Sequence, residues 1–310
     1  MKRIGFIGAG KVGNSLGRYF TESFKKSSKG QASGSKDSNG LALSGYYSKS
    51  ISSAKEAAEF TSSKSFESID ELIKKSDIIF VTVPDGSISA VWTEIFDTYV
   101  NSPFERFKLF CHCSGSLTSE LFHDVEIVNA MACSFHPIFA VADKQNSYKE
   151  LHKAYFTFEG SDQAYNEMSD LLASIENPVD RIAANKKTLY HIACVFFSNL
   201  VVGLANDGEE IFRLCGLDEE FAKNAWRALF LDNAINVSNK GPSMALTGPA
   251  ERGDTSTIIT HLDSLKASGN QDTLDTYRLL TKSIVEIAKR RHPERNYSEI
   301  DSLLNSALQD

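Results

Sequence analysis

Residues 4–13 read IGFIGAGKVG, an apolar run followed at once by a G-x-G-x-x-G pattern. Gly8 permits a tight turn after a strand, Gly10 lets the backbone approach a ligand, and Gly13 allows a helix to pack closely on the strand. The next segment has a helical pattern, so the N-terminus of that helix would face an anion. The stretch predicts a strand, a phosphate-binding turn and a helix, which begin a dinucleotide-binding fold. The predicted cofactor-binding residues of this turn are Gly8, Ala9, Gly10, Lys11, Val12 and Gly13.

The remainder of the chain divides into a mixed first part and a helical second part. Short apolar runs that alternate with helical patterns are typical of parallel βαβ units. The predicted strands are 3–7, 41–47, 77–83, 108–112, 125–134 and 155–159. The predicted helices of the second part are 186–215, 220–238, 255–267 and 273–291. The sequence therefore predicts an α/β Rossmann domain with a doubly wound, mostly parallel sheet at 1–184, followed by an all-α domain at 185–310.

Composition excludes several classes of protein. The chain has 310 residues, of which 42% are hydrophobic and 24% charged, and this is typical of a globular chain of two domains. Its net charge of −7 argues against nucleic acid or an anionic membrane as the main partner. The longest apolar run, 192–205, is too short to span a bilayer. Five cysteines without zinc-site spacing indicate reduced thiols in a cytoplasmic protein and no metal site.

Residues 25–40 read KKSSKGQASGSKDSNG and consist mostly of Ser, Gly and Lys. A segment of this composition buries little apolar surface. We expect a flexible surface insertion between the first helix and the second strand, with an interaction tail as the alternative.

The end of the second strand indicates which dinucleotide is bound. An NAD site normally has an Asp or Glu there, which binds the ribose hydroxyls. This chain has Ser48 and Lys49 instead, and a cation beside a hydroxyl suits the 2′-phosphate of NADP. The sequence predicts NADP(H), and NAD remains open if these residues only end the strand. The later strand ends that should contact the cofactor at the same edge of the sheet are Val83-Pro84 and Ser114-Gly115.

One predicted helix carries polar residues on an otherwise apolar segment. At about 100 degrees per residue, Lys187, His191 and Ser198 share one stripe, and Asn199 lies beside it. Polar groups in such a place are costly to bury unless they line a cleft. A lysine whose pKa is lowered by burial can donate the proton that carbonyl reduction needs. Lys187 is therefore the predicted acid, and the other three residues are predicted to orient substrate or cofactor. The alternatives are a solvated lysine and a histidine of the core.

Four further residues are candidates for substrate binding. His112 ends a predicted strand, and His136 follows one. Thr247 and Arg252 lie in a loop between helices, where an arginine can bind a carboxylate through two parallel hydrogen bonds. Each candidate has a structural alternative, either a buried histidine or a capped loop.

Together these motifs resemble a group of reductases that join an N-terminal Rossmann domain to a helical domain, including 6-phosphogluconate dehydrogenase, pyrroline-5-carboxylate reductase and ketopantoate reductase. More closely, the chain is similar to Rossmann-like proteins with the helical DUF2520 domain. The resemblance rests on Ile7 to Gly13, His112 to Gly115, Ser134 to Pro137, Lys187 to His191 with Ser198-Asn199, and Leu246 to Pro249 with Arg252 to Asp254. It implies an NADP-linked oxidoreductase, and some members of this group are alternative ketopantoate reductases. Related dehydrogenases have Asn four residues after the Lys, whereas this chain has His191.

The predicted activity is the NADPH-dependent reduction of a small 2-oxo acid, and the resemblance implies ketopantoate as substrate and pantoate as product. Reduction of a cyclic imine such as pyrroline-5-carboxylate is a second possibility. A third is an NADP-binding regulatory protein without chemistry. We expect a small-molecule substrate and a homodimer formed through the helical domain, where Phe196, Phe197 and Trp226 are suitable apolar anchors.

Overall fold

The computed structural model describes residues 1–30 and 40–306 and separates the chain into two compact units, Met1–Ser198 and Asn199–Asp310. The first unit contains the β-sheet, and the described part of the second contains helices without strands. The predicted boundary at 184–185 lies earlier than the observed division. The difference arises because the helix that starts at Lys187 packs into the first unit through a buried lysine.

An eight-stranded sheet forms the centre of the first unit, in the order β3-β2-β1-β4-β5-β6-β7-β8. All neighbouring strands are parallel except β6 and β7. The strand order reverses beside β1, which is where such sheets bind ligands. The predicted Rossmann fold is confirmed. The strands are β1 (Lys2–Ile7), β2 (Leu41–Tyr47), β3 (Lys64–Ser65), β4 (Ile78–Val81), β5 (Lys108–His112), β6 (Ala130–Ile138), β7 (Tyr155–Gly160) and β8 (Val179–Arg181).

Helices cover both faces of this sheet. Successive residues of a strand point to opposite faces, so Phe80 of β4 packs with Phe6 and Phe20, whereas Ile79 packs in the cluster of Trp92 on the other side. This burial on two sides explains the continuous apolar strands. The helices of the first unit are α1 (Lys11–Gly30), α2 (Ile51–Thr61), α3 (Ile69–Lys74), α4 (Asp85–Tyr99), α5 (Asp162–Glu167), α6 (Ser169–Ile175) and α7 (Lys187–Phe196).

The strand predicted at 125–134 is wrong over its first part. Val125–Val128 forms a 3-10 helix, and β6 begins only at Ala130. Asn129 lies between them with a φ of 61°, a left-handed conformation that an extended strand does not contain. The short strands β3 and β8 carry no apolar pattern of their own and were not predicted.

The first helix is longer than the sequence predicts. Because α1 continues to Gly30, the beginning of the expected flexible insertion at 25–40 is helical. Lys25 and Lys26 are exposed and extend the helix, since lysine has a good helix propensity and its charge stays in water. Residues 31–39 of that insertion lie outside the described residues.

The second unit has its own core, as an independent helical domain requires. Apolar residues from four helices meet there, including Ala250, Ile258, Val285 and Leu304. The predicted all-helical character is confirmed for the residues described. The helices are α8 (Asn199–Leu214), α9 (Glu219–Ala245, kinked at Gly241), α10 (Pro249–Arg252), α11 (Thr255–Ala267), α12 (Gln271–Arg291) and α13 (Ser298–Ser306).

The long helix predicted at 186–215 is two helices. α7 ends at Phe196, and Phe197 has a φ of −89° and a ψ of 0°. The Ser198 hydroxyl donates to the Cys194 carbonyl at 2.7 Å, a side-chain bond that competes with the helical hydrogen-bond pattern. The helix axis therefore cannot be extrapolated from Lys187 to Ser198.

The stretch Ala184–Leu214, which includes this break, is long and apolar enough to cross a membrane by length and composition. It is longer than the apolar run 192–205 because it includes flanking helical residues. One of these is Lys187, whose side chain is 1% exposed and bonded to β6. The start of the stretch is thus packed on the sheet.

Gly17 of α1 gives a test of how tightly this helix packs. A Cβ on Gly17 would lie 1.7 Å from Tyr46 Oη, and the Tyr46 side chain is fully buried. We expect Gly17→Ala to lower the free energy of unfolding by about 2 kcal/mol, measured by urea denaturation. The control is Gly208→Ala in α8, where no atom of the described chain outside the local helix backbone lies within 4 Å of the new Cβ. Equal stability of the two variants would contradict this packing.

Candidate functional site

The glycine turn after β1 has the geometry of a phosphate-binding loop. Gly8 has a φ of 109°, and a Cβ there would lie 2.7 Å from the carbonyl oxygen of Thr82. A Cβ on Gly13 would lie 2.6 Å from the Gly8 carbonyl oxygen. Gly10 differs, because no atom in the described part of the chain lies within 4 Å of the position its Cβ would take. The fold itself requires Gly8 and Gly13, whereas Gly10 leaves space for a ligand.

Helix α1 begins at Lys11, directly after this turn, and has no acidic residue in its first turn. Lys11 is exposed, so its charge and the helix N-terminus both favour an anion. Asn14 donates to the carbonyls of Ala9 and Gly10 at 2.7 and 2.9 Å, which holds the loop in shape. Ala9 and Val12 pack in the core, so they contribute through the backbone. The residues of this loop fit the diphosphate of a dinucleotide.

Ser48 and Lys49 lie beside the turn, at the end of β2. The Gly8 N–H donates to the Tyr47 carbonyl at 2.8 Å and fixes this strand end next to the loop. The Ser50 hydroxyl caps α2 by accepting from the Ser53 N–H. Ser48 is half-buried and Lys49 exposed, which leaves these two side chains as candidates for binding the ribose or its phosphate.

Val83 and Pro84 follow β4 at the same edge of the sheet. The Val83 nitrogen would lie 3.0 Å from a Cβ on Gly8, so the two loops are in close contact. Pro84 directly precedes α4. The predicted cofactor residues at 8–13, 48–49 and 83–84 are therefore grouped at the carboxyl ends of β1, β2 and β4.

Ser114 joins the end of β5 to the start of α4. Its hydroxyl donates to Asp85 Oδ2 at 2.6 Å and accepts from the N–H groups of Ser116 and Leu117. The side chain is nearly fully buried. Ser114 therefore shapes the loop, and its backbone and Gly115 are the parts that a ligand can approach.

Lys187 lies in the first turn of α7 with its side chain almost fully buried. Its ammonium donates to the Ser114 carbonyl at 3.0 Å and to the Ser134 hydroxyl. Burial lowers the pKa of Lys187 from its usual value, and the carboxylate of Glu159 opposes that shift. The lysine is therefore not the solvated side chain of the alternative interpretation, and its lowered pKa makes it a stronger acid.

His112 has a structural position rather than the predicted substrate-binding one. Its Nδ1 accepts from the Ser114 N–H at 3.2 Å, and its Nε2 lies 3.1 Å from the Thr118 carbonyl. Burial lowers the pKa of His112 to about 4, so the ring is neutral near neutral pH. Because the backbone occupies both ring nitrogens, His112 folds the loop after β5 and has no group left for a substrate.

Two other histidines converge on Gly115. A Cβ on Gly115 would lie 2.6 Å from His191 Nδ1 and 2.9 Å from His136 Nε2. The ring centroids are 6.1 Å apart and nearly perpendicular. His191 Nδ1 is buried and has no hydrogen-bond partner among the described residues, which is costly unless a ligand or water satisfies it. Burial, with Lys187 as the next cause, lowers the pKa of His136 to about 4.

The predicted polar stripe is only partly present. Lys187 and His191 share α7, but Ser198 follows its end and bonds to the Cys194 carbonyl, and Asn199 begins α8. The prediction that Lys187, His191 and Ser198 share one stripe, with Asn199 beside it, is wrong beyond His191 because it assumed a continuous helix. Their catalytic roles stay predictions.

Thr247 and Arg252 belong to the second unit. Thr247 is exposed in the segment before α10, and Arg252 ends that helix with its guanidinium 3.9 Å from the Asp254 carboxylate. Their substrate-binding role stays a prediction. Among residues 1–30 and 40–306, no group of three or more His, Cys, Asp or Glu side chains could hold a metal ion.

The sequence alone indicated no individual site role for three polar side chains, Tyr190, Thr157 and Ser134, although Tyr190 and Ser134 lie within the stretches that carry the resemblance. Tyr190 lies three residues after Lys187, and residues at this spacing are neighbours on a helix surface. This spacing is a signal by which Tyr190 could have been predicted. Thr157 and Ser134 lie within apolar strands, and no local pattern distinguishes them. Their positions depend on which strands become neighbours.

Two protein-family models match this chain, and they match different parts of it. The family model described as "Oxidoreductase family, NAD-binding Rossmann fold" matches residues 2–100, and the model described as "Domain of unknown function (DUF2520)" matches residues 154–284. No curated protein matches significantly.

Several solved structures share the fold over nearly the whole chain. Protein TM1727 from Thermotoga maritima is 25% identical with a TM-score of 0.68, covering 93% of this chain and 99% of its own. The pyrroline carboxylate reductase of Plasmodium falciparum, solved with NADP bound, is 15% identical with a TM-score of 0.54, covering 93% and 98%. An imine reductase from Pseudomonas sp. is 14% identical with a TM-score of 0.56, covering 93% and 97%.

The two family models match different parts of the chain, and the order of those parts is the order that the motifs predict. The first model includes the glycine turn and the ends of β2 and β4, where a nicotinamide dinucleotide fits. The second includes Lys187 and His191. The chain is an oxidoreductase that combines an NAD(P)-binding Rossmann fold with a DUF2520 domain.

Proposed function

We propose that the protein is an NADPH-dependent reductase of a small 2-oxo acid, with ketopantoate as the first candidate substrate and pantoate as its product. NADPH, when bound, supplies a hydride for the carbonyl carbon. The observation that carries the proposal is the buried ammonium of Lys187 at the carboxyl end of β5, with His136 and His191 around Gly115. Ketopantoate is chosen because the motifs resemble those of alternative ketopantoate reductases.

Lys187 is the proposed proton donor. A carbonyl oxygen becomes an alkoxide as its carbon is reduced, and it needs a proton. An ammonium has three N–H groups, of which two donate to Ser114 and Ser134. The third is left for the substrate oxygen. The lowered pKa of Lys187 favours release of that proton.

Reduction of an imine is the second candidate, favoured by the fold shared with an imine reductase and a pyrroline carboxylate reductase. A protonated imine is already activated, so it needs less from a proton donor. The third candidate is an NADP-binding protein without chemistry. It is less favoured because it leaves the buried Lys187 and the two converging histidines without a function.

NADP is proposed over NAD on the basis of Lys49 and Ser48. Both lie next to the glycine turn, and the strand end has no carboxylate to bind an unmodified ribose. A lysine provides a point charge for the 2′-phosphate. A cytoplasmic location is proposed as well, since the five cysteines are unpaired thiols in the structure, which suits a reducing compartment.

A second copy of this chain is proposed as the partner. Helix α8 buries none of its 16 residues, and Val202 is 70% exposed. Phe196 and Phe197 at the end of α7 are exposed too. Exposed apolar surface of this extent marks an interaction site, and a homodimer would cover it on both chains.

The reaction is tested by following NADPH absorbance with ketopantoate, other 2-oxo acids and pyrroline-5-carboxylate. We expect turnover of a 2-oxo acid, and we expect Lys187→Met to lower kcat about 10²- to 10⁴-fold with NADPH binding retained, because the proton donor is lost. The matched control is Lys186→Met, which removes the exposed neighbour. Near-full turnover of an imine by Lys187→Met would favour imine reduction. Tight NADPH binding without turnover of any compound would contradict a reductase.

The cofactor choice is tested with Lys49→Asp. The new carboxylate repels the 2′-phosphate and can bind ribose hydroxyls, so NADPH affinity should fall at least about tenfold more than NADH affinity. The measurement is titration of each cofactor by fluorescence. Lys55→Asp in the neighbouring helix α2 controls for the change in net charge. Equal weakening of both cofactors by Lys49→Asp would refute the NADP assignment.

The dimer is tested by light scattering during gel filtration, where we expect twice the chain mass of 34.2 kDa. Val202→Glu places a charge on the apolar surface and should shift the protein to monomer, since an unpaired buried charge costs several kcal/mol. Asn206→Ala on the same helix is the control. A monomeric wild-type protein that sediments with lipid vesicles would instead assign the surface to a membrane.

A further inference from the structure

Tyr190 joins three elements at the edge of the candidate site. Its side chain extends from α7, and Tyr190 Oη lies 2.7 Å from His136 Nδ1 on β6. Thr157 Oγ1 on β7 donates to the same oxygen at 3.1 Å. His136 and Thr157 are directly opposite each other in the antiparallel β6–β7 pair. One phenolic oxygen is thus shared by a strand pair and a helix.

The number of protons in this cluster determines the direction of each hydrogen bond. A phenol has one proton to donate. Because Thr157 donates to Tyr190 Oη, the phenol keeps its own proton for His136 Nδ1. Burial raises the pKa of Tyr190, so the phenol stays protonated across the neutral range. A neutral imidazole that accepts at Nδ1 carries its proton on Nε2.

The groups around His136 oppose a second proton on its ring. Lys187, His191 and His112 are the titratable groups that face it, and each lowers its pKa. Cys194, one turn along α7, is the titratable group that faces Tyr190 besides His136. The ring is therefore a neutral donor, and its Nε2 lies beside Gly115.

We propose that Tyr190 is a positioning residue that holds His136 in the Nε2–H tautomer, so that His136 donates a hydrogen bond over Gly115 to a substrate oxygen. This inference rests on the proposed function and specifies the chemical group of the substrate that His136 contacts, which is an oxygen. A carbonyl or carboxylate oxygen accepts such a bond, whereas a protonated imine nitrogen has no lone pair to accept it. Tyr190 acts through His136 and does not itself touch the substrate.

The tautomer can be observed directly by NMR of the full chain labelled with ¹⁵N in the histidine rings. The chain has seven histidines, and His136→Gln identifies the signals of His136. We expect one tautomer at neutral pH, with a protonated Nε2 and a proton-free Nδ1. Protonated Nδ1 in the wild-type protein would overturn the inference, whatever the variants do.

Tyr190→Phe removes the donor to Nδ1 and keeps the ring. We expect His136 to change to a mixture of tautomers and its pKa to rise. Tyr155→Phe, an exposed tyrosine on β7, is the matched control and should leave His136 unchanged. Thr157→Val should shift the ratio of the two His136 tautomers in the same direction as Tyr190→Phe. Thr157→Ser, which keeps the hydroxyl, should restore the wild-type ratio. An unchanged His136 tautomer and pKa in folded Tyr190→Phe would overturn the proposal.

The kinetic measurement separates this inference from the proposed function. In a protein that reduces a 2-oxo acid, Tyr190→Phe should lower kcat/KM about tenfold, as expected for loss of one oriented hydrogen bond. If NMR shows the Nε2–H tautomer but no compound is reduced, the tautomer assignment is supported and the proposed reductase activity is refuted. If a 2-oxo acid is reduced and Tyr190→Phe leaves kcat/KM unchanged, the reductase stands and the role of Tyr190 is overturned.

Discussion

The ammonium of Lys187 donates to the Ser114 carbonyl and the Ser134 hydroxyl, and the arrangement of the candidate site depends on these two hydrogen bonds. A buried ammonium costs several kcal/mol unless it is hydrogen-bonded, so the start of α7 is held at the end of β5 and the middle of β6. Residues three and four positions later lie on neighbouring parts of the helix surface. Tyr190 and His191 are therefore brought to the loop that Ser114 and Gly115 form.

Local sequence was sufficient to predict the glycine turn, the Rossmann fold and a buried Lys187, whose catalytic role stays a prediction. These features depend on residues close together in the chain, such as the spacing of Gly8, Gly10 and Gly13. The role of His112 was not predictable in this way. Whether a histidine meets a ligand or a backbone carbonyl depends on the path of the loop after β5, which has no periodic pattern.

The break between α7 and α8 explains why the predicted stripe failed. A helical angle calculated over eleven residues is valid only if the helix is continuous, and the Ser198 hydroxyl bonds to the Cys194 carbonyl where the helix ends. A serine in an apolar run can end a helix in this way, because its hydroxyl can take the place of a backbone N–H as the hydrogen-bond donor to a carbonyl. The same break coincides with the division of the chain into two units after Ser198.

The antiparallel pairing of β6 with β7 connects the hydrogen bonds around His136 to the hydrophobic core. Phe156 and Phe158, on either side of Thr157, are buried in the core of the sheet. A slip of one residue in β7 would move both aromatic rings out of this core to the opposite face of the sheet and move Thr157 away from His136, at a cost of about 2 kcal/mol for each ring. The hydrophobic core therefore also selects where a proton sits on an imidazole, although no aromatic side chain of that strand takes part in the hydrogen bonds.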